Sequence, residues 1–470
     1  MDKRTVQKPK SREENRELKE GRIQVKSLMA EGKKGITARV VEKKYLYPFI
    51  LITSCFALWG FANDVTNPMV KAFSKILMMS NFQGSLVQFA FYGGYFFMAF
   101  PAAMFIRKFN YKSGILVGLG LYATGAFLFI PASMLQVFSV FLISYFILTC
   151  GLSFLETTAN PYILSMGSEE TATRRLNFAQ AFNPIGSLIG MFTAQSFILA
   201  RLNSAEKTQR ALMDPETLRT VTSNDLAIIR APYVAIAFVI LVVLAFVALS
   251  RMPNKDEGEH KIRLLHTLDK LAHNRKYMHG VAAQFFYVAA QIMCWTFIIH
   301  YGTELFTSAK YGLSVQKAEV LSQKYNIAAM VIFCISRFVF TYLLKYIKAG
   351  KLLMVLAGVG MVLTLSVMFS PGMIGLLSLV VLSACMSLMF PTIYGIALKG
   401  LRNDDAKIGA AGLIMAILGG SVMPPIQGAI IDLGKTGILS GVRASFVLTL
   451  ICFAVISHFG RKAYRVYQNN

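Results

Sequence analysis

The stretch QVFSVFLISYFILTCGLSFLETTANPYIL (136–164) is apolar almost throughout, with a single charge, Glu156, and a short polar patch behind it. About 20 such residues wound into a helix cross the roughly 30 Å of hydrocarbon in a bilayer. A membrane strand would alternate apolar and polar positions, and this run does not. Working outward, runs of the same kind lie near 46–66, 84–106, 113–131, 176–200 and 233–251. Another six follow near 278–303, 323–345, 351–370, 374–396, 408–432 and 441–462. The chain reads as an all-α membrane protein of twelve transmembrane helices in two six-helix halves.

The bulk composition agrees. Of 470 residues, 55% are hydrophobic and only 15% charged, with a mean hydropathy of +0.53. Soluble domains carry about 25% charged residues, and no soluble fold has enough interior for this much apolar surface. A net charge of +24 would suit a nucleic-acid partner, but its distribution excludes one. With the N-terminus inside, cytoplasmic segments hold 35 of the 48 Lys and Arg, outer loops hold 12, and Arg337 lies within a span. That asymmetry sets the topology of an inner-membrane protein with both termini cytoplasmic.

The domains follow. Residues 1–45 form a basic cytoplasmic arm, expected to lie against anionic headgroups. The first half covers 46–251, a cytoplasmic linker 252–277, the second half 278–462 and a short tail 463–470. No cleavable signal peptide is expected, because the first apolar run follows Lys43 and Lys44 and is too long. In the linker, Ile262, Leu265, Leu268, Leu271 and Ala272 recur at helical spacing among Lys, Arg and His, which predicts an amphipathic helix on the membrane surface. Basic turns RKFNYK (107–112) and KYIKAGK (345–351) sit at matching places in the halves, weakly supporting a repeat. The outer segment 201–232 reads as a loop without recognisable chemistry. Six cysteines lie singly in apolar spans and read as packing residues. The histidines form no metal-ligand cluster, so no metal or cofactor is expected. GAIIDLGKT (428–436) has one residue too many between its glycines for a phosphate loop.

Charges in a bilayer cost at least about 2.5–3.5 kcal/mol each, so Asp64, Glu156 and Arg337 are the first places to seek function. Asp64 lies in NDVTNP (63–68) and Glu156 in ETTANP (156–161), each followed within about a turn by an Asn-Pro pair. Asn183-Pro184 is a third pair. Proline removes a backbone donor and frees a carbonyl one turn back, tolerable in a membrane only beside protein or water. Pro68, Pro161 and Pro184 therefore predict three bent helices, and Asn63, Asn67, Asn160, Gln180 and Asn183 would surround a wet cavity beside the carboxylates. The first and fourth spans would be matching members of three-helix repeats. Desolvation favours the neutral form of a carboxylate, so such a group can take a proton outside and release it inside. Asp64 reads either as a carrier or as a helix-end cap. Arg337 reads as structural or gating, either snorkelling or paired with a carboxylate. In the seventh span Gln284, Tyr287, Gln291 and Trp295 form one polar-aromatic stripe, which suits a sugar's ring face and hydroxyls or an aromatic packing ridge.

LWGFANDVTNPMV (58–70), SLVQFAFYGGYF (85–96), GLSFLETTANPYI (151–163), RLNFAQAFNPIG (175–186), QFFYVAAQIMCWTFIIHY (284–301) and ACMSLMFPTIYGIALKGL (384–401) resemble the fucose–proton symporter group of the major facilitator superfamily. The resemblance covers nearly all of the chain after residue 45. It implies uptake of L-fucose, or a near relative such as galactose, together with a proton, by alternating access. The expected partners are thus a small sugar, protons and lipid, with the chain acting as a monomer. By the same resemblance Glu156 matches the glutamate that links sugar binding to protonation, and Gln180 and Asn183 match sugar-site groups. The first-span aspartate of the group falls at Asn67, whereas this chain's acid stands three residues earlier at Asp64.

Overall fold

The computed structural model describes residues 40–66, 69–79, 81–203, 205, 207–252, 264–370, 372–401, 403–432, 434–436 and 439–467. The arm 1–39, Asn67, Pro68 and Ile262 thus lie outside the described residues. Among the described residues, ten helices are long and apolar enough to cross a membrane. They are Lys43–Thr66, Tyr111–Leu135, Phe138–Ser165, Pro215–Leu249, Arg275–Thr307, Lys317–Leu343, Ala349–Phe369, Met373–Leu398, Asp405–Ile431 and Gly441–Arg465. Two further spans complete the twelve. Asn81–Lys108 is the second, and the fifth runs in pieces as Ala172–Gln180, Asn183–Thr193 and Ala194–Leu199. The only strands among the described residues are Lys435–Thr436 and Leu439–Ser440, an antiparallel pair between the last two spans.

Two of the three proline pairs lie within the described residues, and they behave differently. The fifth span breaks just before Asn183-Pro184, where proline opens a fresh helix. The first span ends at Thr66, on the edge of its pair. Pro161, however, sits inside an unbroken helix, one turn from its end. Of the two bends expected within the described residues, the fifth span's falls on a break in the helix and the fourth span's does not; the first, at Asn67-Pro68, lies outside them. Breaks that the reading did not expect occur in the tenth span, between Met386 and Met389, and in the eleventh, at Ala416–Leu418.

The reading of 201–232 as a featureless loop is corrected. The sixth helix begins at Pro215, capped by Asp214, which accepts from Thr217 N at 2.9 Å. Those Thr217 hydrogen bonds hold the Asp214 carboxyl below its ordinary range. Behind it a buried ion pair, Arg210 with Asp225, orders the turn, and Asn203 N also donates to Asp225. All six cysteines are free and buried.

Small residues let spans approach within backbone contact. A Cβ on Gly186 would lie 2.6 Å from the Ala57 carbonyl carbon, and one on Gly60 would lie 2.8 Å from Ser187 N. The first and fifth spans therefore meet along Gly60 and Gly186, with no room for side chains.

The halves come together at the end carrying the basic turns. There the first-half core continues into the second half through Tyr394, Ala397, Leu398, Ile408 and Leu413. Asn177 Nδ2 donates to Thr392 Oγ1 at 3.1 Å, and Gly400 N donates to Glu169 Oε1 at 3.0 Å. The linker helix, Leu264–His273, forms as expected, but not as a strip lying free on lipid. Its buried side carries Thr267 and Leu271, whereas Leu265 is 82% exposed. Lys270 and Thr267 dock on Asp405 at the start of the eleventh span. Arg107, closing the second span, donates to Thr267.

Arg175, which the charge survey passed over, is wholly buried. It holds the turn after the fourth span through Ile163 O, Leu164 O and Thr171 Oγ1, and fastens the end of the arm through Val40 O at 2.9 Å.

Candidate functional site

The fourth span presents Glu156 and Asn160 four residues apart, hence on one face. The fifth-span break brings Gln180 to them, and its Nε2 donates to Asn160 Oδ1 at 2.9 Å. Asn160 is fully buried and Gln180 nearly so. Among the described residues Glu156 Oε2 finds no hydrogen-bond partner, and Asn160 is met on its other side by Tyr394 alone. Buried polar atoms are almost always paired, so unpartnered ones gathered between two half-bundles mark a polar site that water or a polar solute fills.

The second half contributes the same signature. Gln284 and Tyr287 of the seventh span and Tyr394 of the tenth are fully buried. Both amide atoms of Gln284 are unpartnered among the described residues, while the Tyr287 hydroxyl meets Arg337 and the Tyr394 hydroxyl meets Asn160. Tyr394 stands within electrostatic reach of Glu156 and beside Asn160, so it faces the first-half cluster. The ring of Tyr287 lies 6.2 Å from that of Phe390, which stacks on Tyr394 at 6.4 Å. The stripe expected on the seventh span is therefore split. Its inner members, Gln284 and Tyr287, are buried, whereas Gln291 and Trp295 are half-buried. Trp295 Nε1 donates to Ser383 Oγ at 3.2 Å and its ring meets Phe333 edge-on.

The second span supplies a pair of tyrosines that sequence reading missed. Tyr92 is within electrostatic reach of Asp64, and Tyr95 of Glu156. They lie three apart in FYGGYF (91–96), so one helical face serves both carboxylates. Tyr95 is held in place by Trp59, whose Nε1 donates to its hydroxyl at 3.1 Å. Aromatic residues in an apolar run carry no distinctive signal, but the i, i+3 tyrosines could have been picked out. Asn63 and Asp64 are half-buried near the end of the first span. Asn183 is also half-buried, and its Nδ2 donates to Phe56 O at 3.2 Å, tying the fifth span to the first.

Arg337 does not snorkel, and it pairs with no carboxylate among the described residues. It is 3% exposed and donates to two backbone carbonyls, Ser387 O and Gln180 O. Its guanidinium lies over the Phe333 ring at 4.7 Å. Among the described residues no group of His, Cys, Asp and Glu could hold a metal ion.

Two six-helix halves, closed together at one end around a carboxylate and unpartnered amides, are the build of a secondary transporter. The chain belongs to the Major Facilitator Superfamily, whose family model matches residues 51–424. It is 50% identical to the L-fucose-proton symporter of Haemophilus influenzae over 438 residues, 92% of this chain and 100% of that one. A glucose/galactose transporter of Brucella abortus is 30% identical, over 89% of this chain and 94% of its own. Among solved structures, the E. coli fucose:proton symporter superposes with a TM-score of 0.79 at 33% identity, covering 89% of this chain and 99% of that one.

Proposed function

We propose that this chain takes up L-fucose together with a proton across a bacterial inner membrane by alternating access, with its basic end and both termini in the cytoplasm and working as a monomer. The observation that carries the proposal is Glu156, whose buried Oε2 is unpartnered one turn from the Asn160–Gln180 pair. A chain 50% identical to a fucose–proton symporter over 92% of its length supports the same substrates.

In this reading the sugar sits between the halves. Asn63, Asn67, Asn160, Gln180 and Asn183 serve its hydroxyls from the first half. Tyr287, Gln291 and Trp295 offer ring faces and an amide from the second. A bare carboxylate is too costly to enclose in a dry site, so the empty, deprotonated form stays open to water. A proton taken from the outside neutralises Glu156, sugar fills the unpartnered amides, and the loaded site is closed and presented to the inside. The same proton then leaves with the sugar. Asp64, beside Tyr92, is the second proton-carrying group. Pro68, Pro161 and Pro184 shape the helices around the cavity, and no cofactor besides the proton takes part.

A second reading keeps the mechanism and changes the cargo to glucose or galactose, as the Brucella relative's name suggests. Both are tested with purified protein in liposomes. L-Fucose should alkalinise the external medium without sodium, and unlabelled fucose should compete with labelled fucose better than galactose or glucose does. Alkalinisation by glucose but not fucose would favour the second cargo, and a sodium requirement would contradict proton coupling.

A further inference from the structure

Pro184 and Pro391 each lack the amide hydrogen that an unbroken helix directs at the carbonyl four residues back. Those carbonyls belong to Gln180 in the fifth span and Ser387 in the tenth, and both helices are interrupted there. A single side chain meets both. Arg337 of the eighth span donates through Nε to Ser387 O and through Nη1 to Gln180 O, the latter at 2.9 Å. Ser387 and Arg337 share the second half, whereas Gln180 is in the first. The Nη1 bond is therefore a tie between halves.

The tie ends on a residue that is held at both of its polar ends. The Gln180 side chain donates to Asn160, one turn from Glu156, while its backbone oxygen accepts from Arg337. A change at the Glu156–Asn160 pair thus reaches the seam between halves through one residue.

We propose that Arg337 is a positioning residue, which couples the state of the Glu156–Asn160–Gln180 cluster to closure of the basic end by bridging two proline-freed carbonyls. The inference rests on reading that cluster as the solute site. Guanidinium suits the task because it is permanently charged, planar and supplied with several donors in fixed directions, whereas lysine offers a point charge that cannot span both carbonyls in one plane. A buried guanidinium that loses a carbonyl leaves a charge short of partners. The halves therefore stay together at the basic end while Gln180 O is in place. When solute or proton draws the Gln180 amide, the carbonyl turns with it and the tie loosens.

The test is a distance measurement between spin labels at Glu170→Cys and Lys399→Cys, in the full chain with its six native cysteines replaced, in lipid nanodiscs. Both positions are exposed and flank the Glu169–Gly400 contact. Without sugar, the parent should show mainly the short distance. Arg337→Gln should raise the ratio of open to closed by about tenfold or more, the loss expected for one charged hydrogen bond. Arg337→Lys should fall between. Pro184→Ala, which gives Gln180 O a helical amide hydrogen, should shift the same way by less, and should add little on top of Arg337→Gln. An unchanged distribution in Arg337→Gln, with the protein monodisperse and helical, overturns the proposal. If that variant does not fold, an unchanged distribution in Pro184→Ala overturns it instead. Adding L-fucose to the parent separates the two readings. A parent deaf to fucose alongside an Arg337→Gln shift counts against the sugar and leaves the tie supported.

Discussion

Gly186 is the position where a single methyl group should do the most to displace the site. A Cβ there would lie 2.6 Å from the Ala57 carbonyl carbon, 2.9 Å from Ala57 Cα, and nearer still to the carbonyl oxygen. Backbone on both sides cannot turn aside, so the first and fifth spans must part by roughly 1 Å to restore ordinary contact, an overpacking that costs about 1–3 kcal/mol. The Asn183 Nδ2 to Phe56 O bond, already 3.2 Å long and one turn away, does not survive that displacement. Gly186→Ala should therefore lower the melting temperature in detergent and reduce uptake in liposomes several-fold. Gly358→Ala is the control, because a Cβ there meets nothing within 4 Å in the ninth span. If Gly186→Ala melts and transports like Gly358→Ala, the close packing of the first and fifth spans is wrong.

Two further outcomes follow from the site. Gln180→Ala removes the donor to the fully buried Asn160 Oδ1, a loss of about 1–3 kcal/mol, so the apparent KM for fucose should rise by about tenfold; an unchanged KM would remove Gln180 from the site. Trp295→Phe keeps a ring against Phe333 but loses the donor to Ser383, and should weaken sugar competition by only a few-fold, while Trp295→Ala should weaken it much more. Equal losses in the two variants would show that the ring contributes nothing.

Hydropathy made most of the fold legible, because it measures which residues suit lipid, and the twelve apolar runs near 46–66 through 441–462 coincide with helices in the structure. It failed where a helix leaves lipid. PETLRTVTSNDLAIIR (215–230) is too polar to read as a span, yet it continues the sixth helix, and the Asp214-Pro215-Glu216 start signal was there to be used. Glu156, Asn160 and Gln180 were legible because polar groups in a bilayer demand an explanation. Trp59 and Tyr394 were not, since aromatic residues in apolar runs suit packing equally well, whereas the i, i+3 spacing of Tyr92 and Tyr95 was a signal to be used. The partners of Arg337 lay furthest from reach. They are backbone carbonyls on two helices separated by about 200 residues of sequence, and they accept from Arg337 because two prolines left them free.

Coupling through Glu156 is tested most directly by Glu156→Gln in liposomes carrying an imposed proton gradient, inside alkaline. The substitution keeps shape and hydrogen-bonding capacity but cannot carry a proton. The variant should still exchange labelled for unlabelled L-fucose down equal concentrations, and should fail to accumulate it or to alkalinise the medium. Accumulation of fucose against its gradient by Glu156→Gln would contradict the account.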